Sequence, residues 1–186
     1  MATSGIEKWK TKKWFNIYTP EALGNSIIGE MPANDEKVIL DRIIKVNMSW
    51  ITNKMSHSFM VIGLKITDVN GDAAHTKIQY IEQTYSYLHS LVRRHSSTVY
   101  TVDKLKDKNG KDLVIKLMLV TGSKVTTPKK KAIGKTLSSF AREHIGGIDS
   151  DTLVKEIIEG NFQSEGIKTV SNIASINKLE VKKIEL

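Results

Sequence analysis

The sequence predicts an α+β fold, a curled antiparallel β-sheet or small barrel with helices packed on it. Two pairs, Asn70-Gly71 and Asn109-Gly110, each separate two apolar strand-like runs, which is a strong signal for a β-hairpin. Five such runs lie between residues 44 and 120, which favours a sheet built from hairpins over alternating strands and helices. Apolar residues at helical spacing occur between the hairpins and again after residue 127.

The five strands are predicted from side-chain alternation and from their turns. Residues 44–50 alternate apolar and polar side chains, as a half-buried strand does, whereas residues 59–66 are more uniformly apolar and suit a central strand. Residues 76–81 complete the first hairpin, and residues 99–105 and 113–120 form the second. We expect type I′ turns with positive φ at both central positions, Asn and Gly.

Four helices are predicted outside these strands. The first spans residues 85–95 with Thr84 as a cap, and a longer one opens at Thr127-Pro128, because Thr is a good N-cap and Pro suits the first turn. A short helix capped by Asp149 or Ser150 ends at Gly160, and the spacing of isoleucines and valine indicates one more over residues 167–176. A last strand is expected at residues 179–184.

Composition and patterning together predict the domain organisation. We expect a basic, Trp-rich amino-terminal arm at residues 1–18 and a single α+β domain at residues 19–186, mostly β over 42–121 and mostly helical over 127–176. The length of 186 residues and 40% hydrophobic content suit one domain with a real core. The absence of cysteine excludes disulfides and thiolate metal sites. No signal-peptide core or membrane-length apolar run is seen, so we expect a cytoplasmic protein.

The net charge of +8 is concentrated in residues 113–142, which contain seven Lys or Arg and no Asp or Glu. Like charges repel in a compact protein, so this block indicates a polyanionic partner, and RNA is our working hypothesis. In the helix that begins at Thr127, Ile133 and Leu137 lie on one face, opposite a stripe of polar and charged residues. The predicted RNA-binding residues of the block are Lys124, Lys129, Lys130, Lys131, Lys135 and Arg142.

The helix start at Lys129–Lys131 is the strongest anion site that the block offers. Cations in a first helical turn oppose the helix dipole, at a cost of roughly 0.3–1 kcal/mol each. A helix amino terminus combined with three lysines attracts anions, which would offset that cost. The alternative is a solvated face with unoptimised charge. Residue 116, in the strand before the helix, carries a lysine that we expect to point outward.

Two further basic segments have both a functional and a structural interpretation. Residues 8–15 interleave four lysines with Trp9, Trp14 and Phe15, which suits an RNA-binding arm in which aromatic rings stack on bases. The segment also reads as a first strand that buries Trp14 and Tyr18, and both interpretations can hold at once. Arg93-Arg94 before Ser96-Ser97 would clamp a phosphate, or simply complement the dipole of the preceding helix.

The charge reverses after residue 142. Between residues 143 and 177 there are six carboxylates and two lysines, Lys155 and Lys168. We therefore expect this segment to face solvent or a basic protein neighbour rather than RNA.

No arrangement of residues predicts catalysis. Gly134-Lys135-Thr136 invites comparison with a P-loop, but position 129 is Lys where that motif needs Gly, and Lys135 falls inside a helix. The five histidines lack metal-ligand spacing, and no nucleophile, base and orienting group can be assembled. We therefore predict a protein that is not an enzyme and has no cofactor.

Four segments together resemble one protein family. They are the Trp- and Lys-rich residues 8–15, Thr19-Pro20-Glu21, the Ile-Gly-Glu-Met-Pro-Ala of residues 28–33, and the Ser-Leu-Val-Arg-Arg-His-Ser-Ser of residues 90–97. By these segments the chain resembles the small-subunit ribosomal protein 3a family of archaea and eukaryotes over nearly its whole length. It ends soon after Lys182-Lys183 without a long basic tail, so we expect it to match the archaeal-length form.

The resemblance implies a structural component of the small ribosomal subunit that binds small-subunit rRNA on the platform near the mRNA exit and supports translation. The implied partners are this rRNA, neighbouring small-subunit ribosomal proteins and mRNA near the exit, with no membrane. His95 stands where the family often has another basic residue. The alternatives are a non-ribosomal RNA-binding regulator and an RNA-modifying enzyme. Candidate rRNA contacts carried over by motif are Lys8, Lys10, Lys12, Lys13, Trp14, Arg93, Arg94, Ser96 and Ser97.

Overall fold

The computed structural model describes residues 12–186, so Lys8 and Lys10 of the predicted arm lie outside the described residues. The chain divides into two compact units, Met1–Gln79 and Tyr80–Leu186. The described part of the first unit has two short helices among its strands: β1 (Lys13–Tyr18), β2 (Ile27–Ala33), α1 (Glu36–Ile39), β3 (Ile43–Asn47), α2 (Met48–Thr52), β4 (Met60–Asn70) and β5 (Ala73–Gln83), of which the last four residues belong to the second unit.

In the first unit, β1 pairs antiparallel with β2 on one side and parallel with the start of β5 on the other. Strand β4 pairs with β5, and β3 pairs antiparallel with β4. Phe15 of β1 is buried in a cluster with Ala33, Ile39, Ile66 and Ala74. This burial on one face of β1 fixes the register of the strand.

The second unit contains one short helix, three longer helices and three long strands. Its elements are α3 (Tyr85–Ser90), β6 (Thr98–Lys106), β7 (Asp112–Thr121), α4 (Thr127–Gly146), α5 (Ser150–Glu159), α6 (Asn161–Val170) and β8 (Ile176–Glu185). The strand order is β5, β8, β7, β6, and all of these neighbours run antiparallel. Helix α4 packs on β6, and α6 packs against α4, α5 and β8.

The α+β class is confirmed, and the sheet is mixed and open rather than a closed antiparallel barrel. The parallel pair of β1 and β5 arises because more than fifty residues separate these strands, which is ample for a crossover. All five predicted strands are present. The last strand expected at residues 179–184 is present as well, as the final strand at Ile176–Glu185, whereas β2 was missed because Gly29 and Pro32 indicate a turn-rich connection. Proline is tolerated in β2 because this edge strand pairs only with β1 among the described residues.

Both hairpins form where they were predicted, but neither turn is type I′. In the first, the loop is Gly71-Asp72 and only Gly71 has positive φ, +60°, as a type II′ turn requires. In the second, Gly110 N–H donates to Asp107 O at 2.8 Å and Gly110 has φ +78°. That geometry matches a type I turn followed by a glycine bulge. In both loops Asn keeps negative φ, so only Gly supplies the left-handed conformation.

Three predicted element boundaries are wrong. In two of these cases a side chain forms hydrogen bonds with the backbone that end the element early. The strand expected to reach residue 50 ends at Asn47, whose side chain accepts from Ser49 N–H at 3.0 Å and starts α2. The helix expected to reach residue 95 ends at Ser90. Beyond it, Ser96 Oγ bonds both the N–H and the C=O of Arg93, which offers the backbone a turn in place of a helix.

The third wrong boundary concerns the last helix, which spans Asn161–Val170 rather than residues 167–176. Gly160, at φ +85°, ends α5 and allows α6 to begin at once. Helix α6 buries Phe162, Gly166 and Val170 at a spacing of four residues. The predicted helix at Thr127-Pro128 is confirmed, with its cap one residue earlier, at Thr126.

Candidate nucleic-acid interface

Helix α4 separates its apolar and charged residues as its sequence predicts. Ile133, Leu137, Ala141 and Ile145 are buried at helical spacing. The polar stripe of Lys131, Lys135, Ser138 and Arg142 lies together along one groove of about 650 Å³. We call this the α4–β6 groove, because its other wall is formed by β6 through Thr101, Val102 and Asp103.

The α4–β6 groove carries more positive than negative charge. Lys131, Lys135 and Arg142 are exposed, so their side chains reach water at the groove. Asp103 is the acidic member of the lining, and Ser138 Oγ donates to its Oδ2 at 2.9 Å. Ser138 is therefore held by the protein itself. Three cations against one carboxylate suit a polyanion whose charges are spaced along a chain.

The start of α4 adds two more lysines to this surface. Lys129 is exposed and Lys130 is half-buried, and the first turn of the helix contains no acidic residue. Thr126 caps the helix with extended backbone, and its side chain makes no capping hydrogen bond. The first-turn N–H groups and the lysines therefore give this end of α4 an uncompensated positive potential.

The Arg93–Ser97 turn is tied to the loop that leads into α4. Val125 N–H donates to Ser97 Oγ at 3.2 Å, and Thr121 Oγ1 both accepts from Ser97 N–H and donates to Ser97 O. Ser97 is buried, so its hydroxyl links these two loops and is turned away from solvent. The structure thereby brings exposed Arg93 and Arg94 to the segment that carries exposed Lys124.

The remaining residues of the turn have local roles. Ser96 Oγ donates to Arg93 O at 2.6 Å and accepts from Arg93 N–H at 3.2 Å, so it shapes the turn. His95 adopts φ +64°, a left-handed conformation that is uncommon for residues other than Gly but more frequent for His, Asn and Asp than for most others. The two arginines are thus presented on a defined turn rather than on the last turn of a helix.

In the first unit, strand β1 presents the described end of the predicted arm. Lys13 is exposed, and Trp14 is 55% exposed, whereas Phe15 and Ile17 are buried. The expectation that Trp14 and Tyr18 enter the core is therefore wrong: Trp14 is on the opposite face, and Tyr18 is half-buried, with its ring 5.7 Å from that of His75. An exposed indole beside Lys12 and Lys13 can stack on a base.

Lys116 is the member of the basic block whose charge is compensated. Its Nζ lies 3.3 Å from Glu185 Oε1, which also receives Lys183 Nζ at 3.1 Å. The hydrogen bond from Lys183, with further support from Lys116, lowers the pKa of the Glu185 carboxyl below its ordinary value despite partial burial. Six cations of the block remain for a polyanion: Lys124, Lys129, Lys130, Lys131, Lys135 and Arg142.

A second cluster of polar side chains joins α3 to β8. Tyr87 OH donates to Glu180 Oε1 at 2.8 Å, Lys178 Nζ lies 3.0 Å from the same oxygen, and Gln83 Nε2 donates to Oε2 at 3.3 Å. Burial, aided by Glu180, raises the pKa of Tyr87. Burial opposes the charge of Lys178, but its hydrogen bonds to Tyr87 and Glu180 raise its pKa on balance. This cluster satisfies the buried Glu180 carboxylate.

Sequence reasoning missed Tyr100, Val102 and Asp103 of β6. Val99 and Leu105 are buried on the face that α4 covers, while Tyr100 and Val102 are 57% and 62% exposed. Both alternating sets of this strand contain apolar residues, so periodicity alone does not tell the buried face from the exposed one.

The described residues provide no constellation for catalysis or metal binding. Between residues 12 and 186, no group of three or more His, Asp or Glu side chains is arranged to hold a metal ion. His144 lies 3.0 Å from Glu165 and 3.6 Å from Glu156, and its ring packs between Phe140 and Phe162. These contacts join α4, α5 and α6, which is a structural role. Over the same residues, no helix has both the length and the apolar character to cross a membrane.

An open α+β fold carries a groove that is lined by three cations, Lys131, Lys135 and Arg142, and one carboxylate, Asp103. The chain belongs to the Ribosomal S3Ae family, which it matches over residues 2–186. The family predicted from the sequence is therefore confirmed. Since this is a family of ribosomal proteins, the prediction that the chain is not an enzyme is confirmed as well.

Relatives from three archaea cover nearly the whole chain. The small ribosomal subunit protein eS1 of Pyrobaculum aerophilum is 31% identical over 186 residues, 100% of this chain and 84% of that protein. The protein of the same name from Methanoculleus marisnigri is 30% identical over 181 residues, covering 97% of this chain and 92% of the relative. That of Archaeoglobus fulgidus is 30% identical over 182 residues, covering 97% and 86%.

Proposed function

We propose that this protein is a structural component of the small ribosomal subunit that binds small-subunit rRNA on the platform, near the mRNA exit, and so supports translation in the cytoplasm. Membership in a ribosomal protein family and the name that its relatives carry support the assembly. The observation that carries the rRNA contact is the α4–β6 groove, where Lys131, Lys135 and Arg142 line one surface.

Binding rests on phosphates rather than on base edges. Lys124, Arg93 and Arg94 extend the basic surface from the start of α4 to the turn that Ser97 secures. Lys and Arg neutralise phosphates and release counterions, which gives affinity without reading sequence. Folded RNA would therefore be recognised by its shape, with exposed Trp14 adding a stacking contact from the first unit.

The acidic segment suits a protein neighbour in the same particle. Glu143, Asp149, Asp151 and Glu159 are exposed on or beside α4 and α5. A surface of this sign repels phosphate and attracts the basic surfaces that ribosomal proteins present. The partners of the chain are thus rRNA on its basic side and neighbouring small-subunit ribosomal proteins on its acidic side, with mRNA close by at the exit.

A crosslinking map of intact small subunits tests this proposal. Ultraviolet irradiation followed by mass spectrometry should recover RNA adducts on peptides that contain residues 93–97 and 124–142, and the attached nucleotides should belong to platform rRNA. Peptides from α5 should yield crosslinks to protein and not to RNA. RNA adducts confined to α5 and α6, or attached to rRNA remote from the platform, would contradict the proposal.

A further inference from the structure

The α4–β6 groove runs along an open edge of the sheet in the second unit. Among the described residues, β6 pairs only with β7, so its other edge has no partner strand. Successive side chains of a strand point to opposite faces of a sheet. The groove is nevertheless lined by consecutive residues, Thr101, Val102 and Asp103, in addition to α4. It therefore includes the open edge of β6, which separates the face that α4 covers from the second face of the strand.

That second face carries an exposed aromatic ring and an exposed valine. Tyr100 lies opposite Met118, and Val102 lies opposite Lys116, in the β6–β7 register. Leu88 of α3 covers Met118 and Val120 at one end of the face. Tyr100 and Val102, beyond the reach of that cluster, are 57% and 62% exposed. Residues two apart on a strand point to the same face, so Tyr100 and Val102 together form a small exposed apolar patch.

One lysine, Lys182, lies beside the Tyr100 ring, and other lysines lie further along the same face. A bulge in β8 at residue 182 sends Lys182 to the same face, where its Nζ lies 5.7 Å from the centroid of the ring. Lys104 is exposed two residues beyond Val102, and Lys116 and Lys183 share Glu185. Carboxylates belong to the same face in this register, among them Glu82 opposite Lys183, Glu180 opposite Met118 and Glu185 opposite Val114.

We infer that Tyr100 is a stacking platform for an unpaired RNA base whose flanking phosphates follow the α4–β6 groove and Lys182. The inference rests on the proposed function, because it places one nucleotide of the same RNA. An aromatic ring beside lysines matches a nucleotide, which offers a flat base and an anionic phosphate together. Every base has a π-face, so the platform accepts any base and selects unpaired over paired RNA.

The test measures binding of the full-length protein to two RNA probes by fluorescence anisotropy. One probe is a single-stranded adenosine 12-mer, and the other is a blunt RNA duplex of twelve base pairs. Tyr100→Ala should weaken binding of the single strand about tenfold, the change that one lost stacking contact of about 1.4 kcal/mol produces, and should leave the duplex unaffected. Tyr100→Phe should bind like the wild type because it keeps the ring.

Controls separate this inference from the proposed function. Tyr85→Ala removes a similarly exposed ring on α3 and should leave both affinities unchanged. Tyr100→Ala should melt at the same temperature as the wild type, because a half-exposed side chain contributes little to the core. Because Tyr100 is uncharged, the salt dependence of binding should match that of the wild type. Equal affinities of the wild type and Tyr100→Ala for the single strand would overturn the stacking platform and leave the proposed function standing.

Two other outcomes are decisive. Absence of salt-dependent RNA binding by the wild type would overturn the proposed function and, with it, this inference. Tyr100-dependent binding of a glutamate-rich peptide, with RNA affinity unchanged by Tyr100→Ala, would overturn the stacking platform and assign the face to a protein partner. An ultraviolet crosslink between the adenosine 12-mer and Tyr100 would support the platform directly.

Discussion

At the scale of single residues, Gly166 lies where α6 packs tightly against Leu179 of β8 and Phe140 of α4. A Cβ built at this position would lie 2.5 Å from Leu179 Cδ2 and 3.2 Å from Phe140 Cε1. Leu179 is buried and has little room to move. Gly is unfavourable inside a helix by about 1 kcal/mol relative to Ala, so close packing accounts for its presence here.

Gly166→Ala should therefore lower the free energy of unfolding by about 1–3 kcal/mol, because overpacking outweighs the gain in helix propensity. Urea denaturation measures the change. Gly134→Ala is the matched control in α4, since its Cβ would meet Thr101 and Val99 at ordinary distances of 3.8 and 3.9 Å. That variant should be neutral or stabilised by up to about 1 kcal/mol. Equal effects at the two glycines would contradict this explanation.

The Tyr87, Lys178 and Glu180 cluster makes stability depend on alkaline pH. Burial raises the pKa of Tyr87 above its ordinary value, and hydrogen bonds raise the pKa of Lys178. As the pH rises past the ordinary values, the unfolded chain loses these protons first while the folded chain retains them. The contribution is therefore complete at neutral pH and is lost as the pH rises through the folded values.

Wild-type protein should consequently lose stability more steeply than Tyr87→Phe above about pH 10, the ordinary pKa of tyrosine. Denaturation midpoints taken at intervals from pH 8 to pH 11 provide the comparison, and Tyr85→Phe controls for titration of an exposed tyrosine. Parallel curves for wild type and Tyr87→Phe would show that the cluster does not couple protonation to folding.

At the scale of elements, the lysines at the start of α4 lower the stability of the helix and add positive charge to the surface. Lys129 is the third helical residue after the cap Thr126, a position at which Glu would reach back to the N–H of the cap. Lys129→Glu should raise the free energy of unfolding by about 0.3–1 kcal/mol, because an acidic side chain complements the helix dipole. The same change should weaken RNA binding. Thermal unfolding and RNA titration at one ionic strength measure both effects, and a loss of stability would contradict the dipole argument.

The α4–β6 groove should govern the salt dependence of RNA binding. Contact of the six uncompensated cations of residues 113–142 with phosphates, three of which line the groove, predicts a slope of log K against log salt of roughly −4 to −5. Lys135→Gln with Arg142→Gln should flatten that slope by about 1.5. Lys155→Gln with Lys168→Gln removes the same charge from α5 and α6 and should leave the slope unchanged. Equal slopes for the two double variants would show that Lys135 and Arg142 of the groove do not contact phosphates.

Most elements were predictable because local signals agreed with the packing that forms. The hairpin glycines, the Thr-Pro helix start and the Gly160 stop each act within a few residues, so sequence alone locates them. The face of β1 was not predictable in the same way. Its alternating sets, Trp14, Asn16 and Tyr18 against Phe15 and Ile17, are both rich in large apolar side chains. The buried partners from distant elements, such as Ile39 and Ala74, decide which set turns inward.

The site was predictable in part for the same reason. The stripe on α4 follows from helical periodicity, which is a local property. The opposite wall of the groove comes from β6, and the compensation of Lys116 comes from Glu185 near the end of the chain. From the sequence, Ser97 was a candidate phosphate ligand beside two arginines. In the structure Ser97 is buried, and its hydroxyl oxygen accepts a hydrogen bond from Val125 N–H. Such long-range contacts leave no signal at fixed spacing.

At the scale of the whole molecule, the two signs of charge are segregated. Basic residues dominate the α4–β6 groove, the Arg93–Ser97 turn and the start of β1, whereas α5 and the segment before it are acidic. Self-repulsion within each surface gives no folding advantage, so the segregation indicates a different kind of neighbour for each sign of charge. A ribonucleoprotein particle provides both kinds of neighbour, RNA and basic proteins, at once.

Sedimentation of cell extracts through a sucrose gradient after a high-salt wash tests the central claim most directly. A protein bound by many phosphate contacts and by protein neighbours inside the particle should remain with the small ribosomal subunit. A regulator that binds RNA transiently should be stripped, because electrostatic affinity falls steeply with salt. We predict that the protein stays in the small-subunit fraction after the wash. Recovery in the free fraction alone would contradict its assignment as a structural component of the ribosome.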